Sequence, residues 1–390
     1  MNTCSVFGKC GGCNKLNIDY EKQLESKERN IFKMLKEYQI NPDNYHGIIP
    51  SPNVYGYRNK MEYSFGNEYK DGPLVLGLRG KKKKYDVFYT RDCKLVNEDF
   101  NIIVSETCEF FRRKNIPFRN YKNHTGYLRN LSIRRGYYTD EILVNLVTSF
   151  EESYDEEVHE WQELMLNLQL DGTIVSIIQS KTESKANVVK ADEMKVLYGR
   201  TYFFEKILDL IFKIGPFSFF QTNTKGAEVL YQTALSYADN TDLVYDFYCG
   251  TGTISLLLSK KAKQVFGIEI LEEAVRAAKD NADLNNIKNV QFYNEDVKEF
   301  IKKRESFETP DYIVVDPPRA GLHPNLIRFI KEKKFEKVIY ISCNPKTLIP
   351  NIKELSEVYT LSDFHLVDMF PHTDHVECVV LMTYCGMEEK

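Results

Sequence analysis

Two residues near the carboxyl terminus, Cys343 and Glu377, have the types and positions that covalent and acid-base chemistry require. Cys343 lies in ISCNP (341–345), where a run of β-forming residues ends and the following Asn-Pro prevents the strand from continuing. A strand end would present the thiol at the mouth of a site, where a nearby cation or helix dipole favours the nucleophilic thiolate. Glu377 enters the apolar run ECVVLM, and partial desolvation there would raise its pKa towards the range of a general base.

Both residues also have an ordinary structural interpretation. Free cysteines are usually buried and inert, and we assign that role to Cys249 and Cys378 near the same strand ends. The strand-end position favours the nucleophile for Cys343. For Glu377 the residues alone leave two possibilities open, a general base or an exposed charge on an edge strand.

A glycine-rich turn and three acidic residues predict a binding site for a nucleotide-like cofactor. The turn DFYCGTGT (246–253) follows an apolar strand, and its glycines would let backbone amides approach a ligand closely. Glu269, Asp296 and Asp316 each end a later strand, and such ends share one edge of a parallel sheet. A dinucleotide-binding turn would need glycine where Ser255 stands. S-adenosylmethionine carries no pyrophosphate and fits the shorter turn, so we predict it as the cofactor.

Cys4, Cys10 and Cys13 lie within ten residues of one another, although the chain has only nine cysteines in 390 residues. A disulfide scaffold would be shorter and denser in cysteine. The C-x5-C-x2-C spacing without a nearby histidine is also unlike a zinc finger, whose ligands come as two close pairs. Three clustered thiolates joined by one distant thiolate suit a [4Fe-4S] cluster, which we predict here.

The charge distribution indicates a nucleic-acid partner for one part of the chain. The formal net charge is −4, yet residues 51–138 contain 18 Lys or Arg against 9 Asp or Glu. Aromatic residues stand among these charges, and basic groups beside flat rings suit looped or single-stranded RNA. A solvated basic surface is the alternative interpretation.

The elements that must position these residues fall into three segments. Residues 1–50 hold the cysteine cluster and an amphipathic helix, and residues 51–200 form a β-rich, basic RNA-binding domain. Residues 201–390 alternate apolar strands with helices and end in two strands joined by a short loop. We predict an α/β, seven-stranded, doubly wound Rossmann-like sheet for this last domain, with ligands beyond the carboxyl ends of its strands.

Five motifs in the last domain occur in the order and spacing of the RNA uracil-5-methyltransferase family. They are FFQTN (219–223), DFYCGTGTISL (246–256), DPPRAGL (316–322), ISCNP (341–345) and HVE (375–377). The chain resembles a member of this family from end to end. The resemblance implies a methyltransferase domain over 201–390 that transfers a methyl group from S-adenosylmethionine to C5 of an RNA uridine.

The resemblance also implies the role of each site residue. Cys343 would attack C6 of the uracil and make C5 an enolate-like nucleophile for the methyl group, and Glu377 would then remove the C5 proton so that elimination releases the cysteine. Cys93, in TRDCKLV, corresponds to the fourth cluster ligand, whereas Cys108 lacks that match. Many relatives have Asn at the position of Thr253. The residues implied to hold the methyl donor are Gln221, Tyr248, Thr253, Glu269, Asp296 and Asp316.

The family implies an RNA partner whose target base is flipped out of its loop. Members with the cysteine cluster resemble the group that acts on large-subunit ribosomal RNA, which favours 23S rRNA over tRNA. Some members carry an RNA-binding β-barrel before the cysteines; we expect none here, so that RNA selection falls on residues 50–190. The sequence has no signal peptide and no apolar run of about 18 residues, and we expect a cytoplasmic monomer without membrane association.

Three other functions fit parts of the sequence. An amino-group methyltransferase acting on adenine or guanine shares the D-P-P motif, but it needs an aromatic residue where Arg319 stands and gives Cys343 no role. A cytosine-5 RNA methyltransferase would have a cysteine in place of Pro318. A non-enzymatic RNA-binding protein is the alternative from a different class, although it would not need both a nucleophile and a base.

Overall fold

The computed structural model describes residues 4–82, 85–120, 123–150, 154–184, 191–303 and 309–387. In these ranges the strands form an eight-stranded sheet, a seven-stranded sheet and a separate two-stranded hairpin. The strands are β1 (Asn44–Ile49), β2 (Lys60–Gly66), β3 (Val75–Arg79), β4 (Val87–Tyr89), β5 (Leu128–Arg135), β6 (Glu141–Thr148), β7 (Thr173–Lys181), β8 (Glu193–Gly199), β9 (Phe203–Ile207), β10 (Leu210–Ile214), β11 (Thr241–Phe247), β12 (Ala262–Glu269), β13 (Val290–Asn294), β14 (Tyr312–Val315), β15 (Lys337–Ser342), β16 (Tyr359–Val367) and β17 (Glu377–Tyr384).

The α-helices connect these strands and cover the sheets. They are α1 (Tyr20–Glu37), α2 (Glu98–Arg113), α3 (Asp155–Leu166), α4 (Thr224–Leu235), α5 (Thr253–Leu258), α6 (Glu272–Leu284), α7 (Val297–Lys303), α8 (Pro324–Lys333) and α9 (Pro345–Leu355). Across the described ranges, every helix is too short or too polar to span a bilayer.

The eight-stranded sheet has the order β1-β16-β17-β15-β14-β11-β12-β13, and β17 is antiparallel to both of its neighbours. The remaining neighbours are parallel. The last domain supplies seven of these strands, β11 to β17, and the sheet has an eighth strand that the prediction did not include. The extra strand is β1, which pairs with β16 and so supplies hydrogen-bond partners to what would otherwise be an open sheet edge.

Helices pack on both faces of this sheet, as a doubly wound fold requires. Apolar residues of α1, α7, α8 and α9 share one buried cluster with one face of the sheet. Those of α4, α5 and α6 share a second cluster with the other face. The mixed α/β fold predicted for the last domain is confirmed, and α6 covers the helix that the sequence predicts at 272–284.

The helix α1 carries a continuous buried stripe at four-residue spacing. Ile31 and Leu35 form its apolar half, and both are buried in the core of the eight-stranded sheet. Gln23 and Lys27 form its polar half and are equally buried, at 0% and 2% exposure. The first half of this helix therefore faces a polar partner inside the protein rather than solvent.

The seven-stranded sheet has the order β4-β3-β2-β5-β6-β7-β8 and includes much of the basic segment. The helices α2 and α3 pack against it around the fully buried Trp161. Asn59, just before β2, joins this sheet to the FFQTN motif of the last domain. Its side-chain amide donates to the Gln221 carbonyl at 2.9 Å. The basic sheet thus adjoins the predicted cofactor edge.

Candidate active site

Cys343 directly follows β15, and Glu377 is the first residue of the neighbouring strand β17. In the antiparallel pair of β15 and β17, the terminal pairing joins Ser342 to Cys378. Cys343 and Glu377 are the next residues beyond this pair, so the thiol and the carboxyl group lie at the same end of the two strands, and Glu377 acts on the thiol. The thiol is half-buried, and Glu377 is only 4% exposed.

The charges around this pair act strongly on both groups. Burial, and then the nearby Asp316 carboxylate, raise the pKa of Glu377 to about 8, while the Arg319 guanidinium acts in the opposite direction. Burial, followed by Glu377 and Asp316, also raises the pKa of the Cys343 thiol above its usual value. A carboxyl group with a pKa near neutrality suits transfer of a proton in both directions.

Arg319 supplies the positive charge that the thiol needs. Its guanidinium hydrogen-bonds Cys343 and lowers the thiol pKa, and it lies 3.2 Å from Nδ1 of His375. The Asn344 side-chain amide donates to the Arg319 carbonyl at 2.8 Å, so the ISCNP and DPPRAGL motifs hold each other in place. In the sequence analysis, Arg319 served only to argue against an amino-group methyltransferase, which needs an aromatic residue at that position. The signal that could have identified it is a cation just beyond the end of an apolar strand.

A cleft of about 330 Å³ lies at the carboxyl edge of the sheet, against the DPPRAGL loop that carries Arg319. Tyr248, Glu269 and Asp296 line it together with residues of the DPPRAGL loop. The Glu269 carboxylate accepts the backbone N–H groups of Gly250 and Leu271, which fixes its orientation. Asp296 also caps the start of α7, so it combines a structural role with a place in the cleft. An aromatic ring with two carboxylates can hold an adenosine through stacking and hydrogen bonds.

Gln221, Thr253 and Asp316 lie at the same edge but are not among the residues that line this cleft. The Gln221 side chain hydrogen-bonds the buried Tyr231 hydroxyl, which lies within electrostatic range of Asp316 and Glu377. Asp316 acts on both Glu377 and Cys343, and burial raises its own pKa to about 7. Thr253 is buried at the first position of α5. The structure therefore places Asp316 and Gln221 near Cys343 and Glu377, and it places Thr253 where the glycine turn ends and α5 begins.

Asp246 is a further candidate that reasoning from the sequence treated only as the start of the glycine turn. It is fully buried, and the Ser255 hydroxyl donates to it at 2.5 Å. Burial raises the pKa of Asp246 to about 7, and Asp316 and Glu269 add to the effect. An acidic residue that ends an apolar strand just before a glycine turn was the available signal.

Residues 19–385 match the family model described as tRNA (uracil-5-)-methyltransferase. The chain belongs to this family. It is similar to uncharacterized RNA methyltransferases of Clostridium acetobutylicum (44% identity, 97% of this chain and 83% of the relative) and Caldanaerobacter subterraneus (42% identity, 97% and 84%). Among solved structures it is similar to the Pyrococcus abyssi tRNA (uracil-54, C5)-methyltransferase in complex with S-adenosyl-L-homocysteine, with a TM-score of 0.78 and 29% identity over 96% of this chain and 86% of that chain.

Membership of the family confirms the predicted enzyme class, an S-adenosylmethionine-dependent RNA (uracil-5-)-methyltransferase. It supports RNA as the substrate and S-adenosylmethionine as the methyl donor. The individual site residues, the choice between 23S rRNA and tRNA, and the iron-sulfur cluster stay predictions.

The four cysteines predicted as cluster ligands line one small cavity. Cys4, Cys10 and Cys13 meet Cys93 there, between the amino-terminal loop and the chain that follows β4. Burial, together with the neighbouring thiols, raises the pKa of Cys13 to about 12 and that of Cys93 to about 11. As the side chains are placed, no group of three or more His, Cys, Asp or Glu residues in the described ranges could hold a metal ion. The thiols thus share a cavity and have the chemistry of iron ligands, without the geometry of a formed site.

Proposed function

We propose that this enzyme methylates C5 of a uridine in 23S rRNA, with Cys343 as nucleophile and Glu377 as general base. The observation that supports the proposal is the antiparallel pairing of β15 and β17, which brings the end of β15 just before Cys343 beside the start of β17 at Glu377. The DPPRAGL loop carries Arg319 to this pair and also lines the cleft with Tyr248, Glu269 and Asp296.

A covalent step is needed because C5 of uracil is by itself a poor nucleophile. The Cys343 thiolate, stabilised by the Arg319 guanidinium, adds to C6, and the electron pair of the C5–C6 double bond becomes available at C5. After the methyl group is attached, the Glu377 carboxylate accepts the proton from C5. The electrons of that C–H bond restore the double bond, and the C6–S bond breaks to release the thiolate.

The residues that line the cleft would hold the methyl donor. Tyr248 offers a ring face to an adenine, and Glu269 and Asp296 offer carboxylate oxygens to ribose hydroxyls and the adenine amino group. The predicted methyl-donor site has three further residues. Gln221 and Asp316 would contact the donor near Cys343 and Glu377, and Thr253 would contact it at the glycine turn. S-adenosylmethionine supplies an electrophilic methyl group there.

The cysteine cluster and the basic middle sheet support ribosomal RNA as the substrate. Family members with such cysteines resemble the ribosomal group, and residues 51–138 carry an excess of nine positive charges, 18 minus 9. A tRNA uridine is the second candidate. It is favoured by the likeness to the Pyrococcus abyssi enzyme, whose name specifies uracil 54 of tRNA.

We also propose that Cys4, Cys10, Cys13 and Cys93 hold a [4Fe-4S] cluster. Their shared cavity and all-thiol donor set support it, because thiolates are the ligands of such clusters. The four residues would tie the amino-terminal loop to the seven-stranded sheet.

Two variants test the mechanism with RNA and S-adenosylmethionine in single-turnover assays. Cys343→Ala should neither methylate RNA nor form a covalent complex, whereas Glu377→Gln should accumulate a protein–RNA adduct that survives denaturing electrophoresis. Methylation by Cys343→Ala at the wild-type rate would exclude the covalent mechanism. Release of free methylated RNA by Glu377→Gln would exclude Glu377 as the base.

The substrate is tested by mapping 5-methyluridine in ribosomal RNA and tRNA from a deletion strain and its parent. We expect a 5-methyluridine of 23S rRNA to disappear on deletion. Loss from tRNA alone would favour the second candidate, and loss from neither would exclude both candidate substrates.

A further inference from the structure

The segment that leads into Glu377 is held from the opposite end of the chain. Residues 368–376 join β16 to β17, and Glu377 is the first residue of β17. Asp368 and His372 in this segment are almost fully buried, at 0% and 1% exposure. The Asp368 N–H donates to the Ile49 carbonyl of β1, and the contacts described below come from α1 and from the residues just before it.

The first contact is a fully buried ion pair. The Lys27 ammonium donates to the Asp368 carboxylate at 2.6 Å, and both side chains are at most 1% exposed. The same ammonium donates to the Phe370 carbonyl at 3.1 Å. Because desolvation of two charges offsets much of their attraction, such a pair adds little stability, but its geometry is tightly specified.

The second contact joins Gln23 to His372 in both directions. The His372 backbone N–H donates to Oε1 of Gln23 at 2.8 Å, and Nε2 of Gln23 lies 3.1 Å from Nδ1 of the same histidine. His372 has a φ of 65°, a left-handed conformation that a non-glycine residue seldom adopts without support from its surroundings. Gln23 supplies that support.

A third group of contacts comes from the residues that follow Cys13. The backbone N–H groups of Asn14 and Lys15 both donate to the His372 carbonyl, at 2.9 and 3.1 Å. The Lys15 ammonium pairs with Asp374 at 2.8 Å, three residues before Glu377. The segment 368–376 is therefore fixed at its beginning, middle and end.

We propose that Gln23 and Lys27 are positioning residues for the methyl-transfer reaction. They hold residues 368–376 so that the Glu377 carboxylate stays near Cys343. The buried stripe of α1 makes this possible. Its apolar half packs in the core through Ile31 and Leu35, and its polar half hydrogen-bonds to the segment 368–376. This inference rests on the proposed role of Glu377, and it concerns one step: removal of the C5 proton with cleavage of the C6–S bond.

The test uses full-length enzyme and RNA that carries tritium at C5 of the target uridine. In Gln23→Leu, single-turnover release of tritium should slow by about 10- to 100-fold, because small displacements of a catalytic group have large effects on rate. The KM values for RNA and S-adenosylmethionine should stay unchanged, and the covalent adduct should accumulate on denaturing gels. Lys33→Met is the matched control, since Lys33 is an exposed residue on the same helix.

A second variant separates the positioning role of Lys27 from a loss of activity that is caused by misfolding. Lys27→Met alone would leave Asp368 buried without its counter-charge, so it is combined with Asp368→Asn, which keeps the shape of that side chain. The double variant should melt close to the wild-type temperature and still accumulate adduct. Tritium release at the wild-type rate by both folded variants would overturn the inference. So would a slower release caused by weaker binding of RNA or cofactor.

Glu377→Gln in the same assay separates this inference from the proposed function. If Glu377→Gln accumulates adduct and the Gln23 and Lys27 variants do not, only the positioning role is wrong. If Glu377→Gln itself accumulates no adduct, the assignment of the base fails, and the positioning role fails with it.

Discussion

At the scale of single residues, the site is a small group of ionisable side chains that interact electrostatically. Asp316, Glu377 and Cys343 become negative on ionisation; Asp316 raises the pKa of both Glu377 and Cys343, and Glu377 raises that of Cys343. Arg319 is the cation that opposes them. A bound RNA excludes further water from such a site, which strengthens these interactions.

The pH dependence of the reaction follows from the direction of these shifts. Burial raises the pKa of Glu377 to about 8 and raises that of the Cys343 thiol, and both groups must lose a proton before they react. The single-turnover rate of methylated-RNA release should therefore fall as the pH drops below about 8 and should rise from pH 6 to pH 9. Quench-flow measurements across this range check it.

Glu377→Gln is the control for this profile. The rate of adduct formation by that variant should retain only the ionisation of Cys343. A rate that stays level or falls between pH 6 and pH 9 would contradict the assigned protonation states.

At the scale of elements, the glycine turn after β11 places the cofactor cleft. Gly252 has a φ of +84°, and a Cβ there would lie 2.9 Å from the Phe292 ring and 3.0 Å from the Ala278 side chain. The turn can therefore approach β13 and α6 closely only with glycine at this position. Gly250 also has a positive φ of +54°, but an added Cβ would meet nothing within 4 Å.

Gly252→Ala should consequently impair both stability and cofactor binding. The left-handed backbone costs about 1 to 2 kcal/mol with a non-glycine residue, and the clash with Phe292 adds to this loss of free energy of unfolding. Denaturant unfolding and calorimetric titration with S-adenosyl-L-homocysteine measure the two effects.

Gly250→Ala is the matched comparison, because it imposes the left-handed backbone without the clash. Its loss of stability should be smaller than that of Gly252→Ala. Equal losses in the two variants would show that packing against β13 and α6 does not matter at this turn.

At the scale of the whole molecule, the amino-terminal loop links the two large sheets. Cys10 forms a β-bridge with Gly80, next to the end of β3, and the Gly11 N–H donates to the Arg79 carbonyl at 2.8 Å. The Asn14 N–H then donates to the carbonyl of His372, in the segment that joins two strands of the eight-stranded sheet. A cluster held by the four cysteines would strengthen the first of these two connections.

Cys93→Ser should therefore lose iron and lower the Tm of anaerobically purified protein by roughly 5 to 10 °C, because a bound cluster contributes its binding energy to folding. Iron and sulfide analysis with calorimetry provides the measurement. Cys108→Ser is the control, since Cys108 is a buried thiol outside the shared cavity and should retain iron. A colourless, iron-free wild-type protein would exclude the cluster and make zinc the leading metal.

The elements of the last domain and the class of its chemistry could be predicted from the sequence alone. The ends of α6, the glycine turn and the strand-end positions of Glu269, Asp296 and Cys343 depend on local periodicity and turn residues, which a sequence displays directly. Their order along the chain was enough to indicate S-adenosylmethionine and a nucleophilic cysteine.

Which distant residues meet is visible only in the folded structure. Glu377 could have been an exposed charge, but it is only 4% exposed and begins β17 beside the end of β15 that leads into Cys343. Gln23 and Lys27 have the composition of a solvated helix face, and they are buried because the segment 368–376 covers them. The strand β1 similarly joins β16 across more than 300 residues. Such contacts have no local pattern, because their stability comes from packing and hydrogen bonds that form only after the chain has folded.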